Sequence, residues 1–293
     1  MQFFRLVLML SLAAACGSAQ SLVTNNTIGS TSPYTITAPA SGNVLLGCFA
    51  NRNSTNTTIT SVSQTNVTWT FVGRVNSQSS NSVEIWYGVA SASAGTSVTI
   101  TWAAGTTTLI HQISEWSGVN TSSPVDAALI SNTVTGVSSI SSGNYTTTNA
   151  NDVMISCVQG TGGTNPSTPT NSFTQLQVGN AGSGGSSRNF GTAYRVVAST
   201  GTYSTGWTVQ TTNQSMVLVG FKQAASAIPN KVYSYLRSVS RAAYWTFAAI
   251  SLGWDSRSVI ARVREMLAQL KAAVAEALCR LAEMELGREL LLV

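Results

Sequence analysis

Residues 42–51, GNVLLGCFAN, and residues 151–160, NDVMISCVQG, write one strand twice. Each is a nearly unbroken apolar run with a cysteine at the same place. Placing Cys48 on Cys157 brings more into register. QTNVTWTFVGR meets PTNSFTQLQVG, VEIWYGVASASAGTSVTITW meets FGTAYRVVASTGTYSTGWTV, and LIHQISEWSG falls where SMVLVGFKQA falls. Both halves therefore run through the same series of strands. The period is far longer than the roughly 20–50 residues of a solenoid repeat. The expected architecture is one antiparallel β-sandwich or jelly roll built from two similar halves, about 38–117 and 145–224. Neither half is expected to close a core alone, because a sheet needs a second layer over its apolar face.

The segments between the repeats support an all-β reading. In VTWTFV, Val67, Trp69 and Phe71 share one face and Thr68 and Thr70 the other. In SVTITW, Val98, Ile100 and Trp102 alternate with Ser97, Thr99 and Thr101, and in YSTGWTV, Tyr203, Thr205, Trp207 and Val209 line up. A period of two with one apolar face marks a strand over a core. Trp69, Trp102 and Trp207 are thus expected in the interior. Clusters such as GTGGTNPSTPTNS punctuate these runs as turns do.

Charge is scarce. From residue 20 to 226 the cations are Arg52, Arg74, Arg188, Arg195 and Lys222, against Glu84, Glu115, Asp126 and Asp152. Five against four leaves no electrostatic footprint for nucleic acid. No cofactor or phosphate-binding motif is present: GTGGTNPS and GSGGSS are glycine-rich loops without the strand–loop–helix setting a phosphate cradle needs. His111 is the single histidine, so neither a zinc cluster nor a serine-hydrolase triad is expected, and His111 itself reads as a satisfied residue of the sheet. Calcium at Asp126 or Asp152 lacks a supporting acid cluster.

Two kinds of site are worth naming. Glu84 and Glu115 are the only glutamates before the tail, and a pair of carboxylates is what glycoside hydrolysis requires. Trp86 and Trp116 fall on the strand faces opposite Ile85 and Glu115. If those faces are open to solvent, Trp86 and Trp116, with Glu84 and Glu115 beside them, form a stacking platform for a glycan; if both faces are covered, they are core. Cys48 and Cys157 either form a disulfide, should the equivalent strands meet, or remain two small buried thiols.

SEWSGVNTSSPVDAA followed by YTTTNANDVMIS, and later AYRVVASTGTYSTGW with VLVGFKQA, resemble a secreted bacterial β-sandwich domain found in large surface proteins. The resemblance spans about residues 30–224. It implies a jelly-roll-like sandwich in an extracytoplasmic setting, and it carries no catalytic residue. The expected function is accordingly a non-catalytic binding or adhesion module for a glycan or cell-surface ligand. A purely structural surface domain is the alternative, and a glycoside-active enzyme using Glu84 and Glu115 comes third.

The two ends of the chain differ from its middle. MQFFRLVLMLSLAAACGSAQS has a cation, a short apolar run and small residues, the layout of a secretory signal over residues 1–19. A lipoprotein cut before Cys16 is the weaker reading. After the sandwich domain, residues 20–225, the composition turns to Ala, Leu, Arg and Glu. Over residues 226–293, Ile260, Val263, Leu267, Leu270, Val274, Ala277, Leu281 and Met284 recur at intervals of three and four. That spacing predicts an α-helical hairpin or coiled-coil-like tail, suited to self-association or to interfacial membrane contact.

Overall fold

The computed structural model describes residues 19–224 apart from 54–57, 77–80 and 105, together with Glu265 and Ala268. The segment expected to be a signal, except for Ala19, and nearly all of the tail expected to be helical lie outside the described residues; Glu265 and Ala268 are helical. Residues 16–225 form one compact unit, and its sheets are antiparallel throughout.

The first half comprises β1 (Ser21–Asn25), β2 (Tyr34–Thr35), β3 (Val44–Asn53), β4 (Ile59–Ser63), β5 (Val67–Asn76), β6 (Asn81–Ala90), β7 (Ser97–Trp102) and β8 (Thr106–Ser117). The second comprises β9 (Ile130–Ser141), β10 (Tyr145–Thr146), β11 (Asp152–Thr161), β12 (Thr174–Ala181), β13 (Arg188–Val197), β14 (Thr202–Tyr203) and β15 (Gly206–Phe221), with a 3-10 turn at Gly184–Ser186. One five-stranded sheet runs β1-β8-β3-β6-β5 and the other β9-β15-β11-β13-β12. Replacing each strand of the first by its aligned partner yields the order of the second. The small sheets match too: β2 pairs with β7 as β10 pairs with β14, and β4 extends only the first.

Cys48 and Cys157 sit on the central strands, β3 and β11, and are bridged by a disulfide with a Cα–Cα distance of 6.0 Å. The equivalent strands therefore meet face to face across two sheets, not edge to edge within one. Val44, Leu46, Cys48 and Ala50 point at the second sheet, with Val83, Ile85, Ile110 and Trp116 beside them in register. Val153, Ile155 and Cys157 answer them, and all belong to one buried cluster. Trp116 meets Tyr194 edge to face across this interface, ring centroids 5.0 Å apart.

The expectation that neither half closes a core alone is corrected for the first half. Leu45, Phe49, Trp86, Leu109 and Ile113, on the other face of the first sheet, form a second buried cluster with Tyr34, Ile36, Ile59, Val62, Val98 and Ile100 of the small sheet and its surroundings. In the second half, Trp207 lies over Gly191 and Val158 and reaches Ser156 with its indole N–H at 3.4 Å. The cause is visible in the strands themselves. VLLGCF and VMISCV are apolar on both faces, so each central strand needs cover on two sides, and each half supplies its own outer layer. Of the three tryptophans expected inside, Trp207 is fully buried, while Trp69 and Trp102 are partly buried at the margin of the second cluster.

Candidate functional site

None of the four ligand-binding candidates faces solvent. Glu84 is fully buried on β6. It accepts the backbone N–H of Ile59 at 2.9 Å, the indole N–H of Trp86 at 3.1 Å and the Ser82 hydroxyl at 3.3 Å. Burial pushes its carboxyl above the ordinary range, against the pull of the Ile59 and Trp86 N–H groups, Arg74 and Ser82. Trp86 is 8 % exposed, and its ring lies 5.3 Å from that of Phe71. The outer layer of the first half covers the face on which Glu84 and Trp86 stand, so they tie β6 to β4.

Glu115 and Trp116 divide between the two faces of β8. Glu115, on the outer face, accepts the Ala40 N–H at 2.8 Å, the Asn43 side-chain amide at 2.6 Å and the Thr24 hydroxyl at 3.3 Å. Trp116, on the inner face, donates to the Ser114 hydroxyl at 2.9 Å. Glu115 thus ties down the chain before β3, while Trp116 is held within β8 and against Tyr194 of the second sheet. Nor do the two glutamates form a hydrolytic pair. Glu84 stands opposite Phe49 and Glu115 opposite Leu45, on strands that flank β3 on either side. Their backbones are thus separated by about 13 Å along the strands and about 9.6 Å across them. Glycosidases hold their two carboxyl groups only about 5–9.5 Å apart around the scissile bond.

His111 is buried on β8. Its Nε2 lies 3.0 Å from the Thr31 carbonyl, so a neutral ring with the proton on Nε2 satisfies that contact. Tyr34 packs edge-on at 4.5 Å. Burial lowers its pKa to about 4 despite the Thr31 bond. Among the described residues its Nδ1 has no hydrogen-bond partner, and no charged group is among the causes of its shift.

The acids that do come together are Asp126 and Asp152. Asp126, in the segment joining the halves, accepts from the Thr148 N–H at 2.6 Å, the Thr148 hydroxyl at 2.5 Å and the Asn149 amide at 2.5 Å. Burial works to raise its pKa, but these bonds hold it below the usual value. Asp152 opens β11 and is fully buried; neither oxygen meets an N–H or hydroxyl donor. What it meets is the Asp126 carboxylate, and only a proton on Asp152 makes that contact attractive. Burial first, then the Asp126 charge, push Asp152 up to about 7, with Lys222 opposing. Tyr145 closes the group, accepting the Ala127 N–H at 3.0 Å and donating to the Ala127 carbonyl at 3.2 Å. Among the described residues, no three His, Cys, Asp or Glu side chains group as a metal site would require.

The residues that sequence reasoning passed over are Arg52 and Arg188, which enter it only as charges. Arg188 is 2 % exposed at the start of β13. The available signal was only their rarity as charges in so poor a stretch; the burial of Arg188 was not readable from the sequence. Compared with known protein families, curated proteins and solved structures, the chain finds no match.

Proposed function

We propose that the chain is a non-catalytic, extracytoplasmic surface module, in which an internal duplication has set two jelly-roll-like halves back to back. The observation that carries the reading is the fate of Glu84, Glu115, Trp86 and Trp116. Every one is buried and spends its polar atoms on the protein's own backbone or neighbouring side chains. A fold that consumes its carboxylates and indoles in this way is built to persist, not to turn over a substrate. The signal-like leader, the resemblance to secreted bacterial sandwiches and a disulfide between central strands all fit an oxidising compartment. In this role the module is structural, a spacer or display unit of the cell surface, and the tail supplies assembly. Glycan adhesion through Trp86 and Trp116 loses its platform.

The test is direct. The full chain, incubated with a panel of polysaccharides and aryl glycosides, gives no product, and fractionation of the expressing bacterium recovers it outside the cytoplasm. Turnover of any glycan that disappears in the Glu84→Gln, Glu115→Gln double variant overturns the reading.

A further inference from the structure

The interface between the five-stranded sheets changes character along its length. Beyond the disulfide it becomes polar. The first sheet contributes Arg52, Asn81 and Thr108 in register, and the second contributes Gln159, Thr161 and Arg188. Bonds cross from sheet to sheet. Arg188 donates through Nε to Asn81 at 2.5 Å, Asn81 donates to the Thr161 hydroxyl at 3.4 Å, and Gln159 donates to the Asn51 carbonyl at 3.3 Å. The 3-10 turn caps this end. Its Ser186 hydroxyl accepts from Nη1 of Arg52 at 2.6 Å, and its Ser186 carbonyl accepts from Thr108 at 3.0 Å.

Two guanidinium groups thus share one end of the interface, and every described partner they have is neutral. Arg188 bonds to Asn81 and, through Nη1, to the carbonyls of Ser187 at 2.7 Å and Gly185 at 3.4 Å. The acids of this unit lie elsewhere. Glu84 faces the opposite side of its sheet, Glu115 stands seven residues along β8 from the Arg52 level, and Asp126 and Asp152 sit at the other end of β11. The adjoining stretches STNT (54–57) and SQSS (77–80) contain none. A permanent charge taken out of water costs several kcal/mol unless an opposite charge compensates it. Burial, and then repulsion from Arg52, lower the Arg188 pKa to about 10.

We propose that Arg52 and Arg188 form a binding site for an oxyanion, which supplies the counter-charge that the described residues lack at this end of the interface. A planar guanidinium presents paired N–H groups that match the oxygens of sulfate, phosphate or carboxylate, and two of them select against neutral ligands. The Ser215 hydroxyl, one pleat deeper on β15 opposite Gln159, is buried without a partner. The same chemistry accommodates a free inorganic ion or an anionic substituent of an acidic polysaccharide. The site does not depend on where the chain resides.

Titration calorimetry of the full chain with sodium sulfate and sodium phosphate, at constant ionic strength set by chloride, reads the site. Saturable one-to-one binding is expected, weakened by about tenfold or more in Arg52→Gln, the loss of one charge-assisted contact. Arg188→Lys keeps the charge but not the fork, and is expected to weaken binding while leaving the chain folded by circular dichroism. Dextran sulfate and neutral dextran distinguish the source. Binding of dextran sulfate that Arg52→Gln abolishes assigns the ligand to a polysaccharide, and binding of the free ions alone assigns it to an inorganic anion. No saturable binding of sulfate, phosphate or dextran sulfate, or affinity unchanged in both variants, overturns the proposal.

Discussion

The carboxylate of Glu84 accepts the indole N–H of Trp86, two residues along the same strand, at 3.1 Å. A ring beside an acid is what a sugar site would need, yet here the two satisfy each other beneath a second sheet. Glu84→Ala leaves the Ile59 and Trp86 donors buried without an acceptor. The expected loss is about 3 kcal/mol in urea unfolding, at one to three kcal/mol for each orphaned donor (roughly). Glu84→Gln, which retains one acceptor oxygen, loses less.

Two titrations oppose each other. Asp152 has its folded pKa raised to about 7 from the ordinary 3.8, so the folded state holds the extra proton and stability falls as pH rises through that window. His111 has its folded pKa lowered to about 4 from 6.5, so the unfolded state holds the extra proton and stability rises with pH between those values. The charged groups around Asp152 are Asp126 and Lys222, with Tyr145 neutral; the described neighbours of the His111 ring are Tyr34, Phe49 and the backbone of Thr31 and Gly29, all uncharged. Melting temperature should therefore change little from pH 4 to 6.5. Asp152→Asn should expose the histidine slope, with stability rising across that range, and should melt a few degrees higher than the parent at pH 8. His111→Gln should expose the aspartate slope, falling with pH. Parallel profiles in all three proteins would contradict both assignments.

Removing the bridge between Cys48 and Cys157 frees a loop of 109 residues in the unfolded chain. By loop-closure entropy the cost is up to about 4.7 kcal/mol for a loop of roughly 100 residues. Cys48→Ala and Cys157→Ala are expected to lower the urea midpoint equally, and the double variant little further. Mass spectrometry before and after reduction checks the bridge itself.

Gly29 exchanges both backbone hydrogen bonds with His111, each 2.9 Å. A Cβ placed there would stand 2.6 Å from Tyr34 Cδ2 and closer still to the His111 ring. Gly29→Ala should destabilise by about 1–3 kcal/mol, the usual cost of overpacking. An unchanged melting temperature would mean that the segment before β2 yields freely.

Residues 16–225 cluster as their own compact unit. A chain ending at Ala225 is expected to unfold in one cooperative step at a midpoint close to that of the full chain, as followed by circular dichroism. A molten truncation would make residues 226–293 part of the core.

The doubled strand and the period-two runs made the strand inventory legible, because a repeated pattern reports local chemistry. The number of layers was not legible. It depends on what covers the second face of an apolar strand, and Phe49 or Trp86 carries no mark of which neighbour will do so. Parity put Trp86 and Trp116 on the faces they occupy, but parity distinguishes faces, not exposure. Asp126 and Asp152 were visible as isolated acids; their meeting depends on Val125 bridging to Phe221, a contact between segments nearly a hundred residues apart. Arg188 stayed hidden for the same reason: its partner Asn81 is 107 residues distant.

The disulfide also limits how far this protein can be stretched. A chain pulled from its two ends would, without the bridge, pay out the full length of its unfolded strands. With Cys48 joined to Cys157, the 109 residues between them are withdrawn from the line of tension. At about 3.4 Å for each residue, roughly 370 Å of contour length stays shut inside the loop. The second cluster of the first half, formed wholly between those residues and the segment before them, is shielded from much of the load. Under oxidising conditions the extension of this unit has a fixed stop, and under reducing conditions it can run out to its whole length.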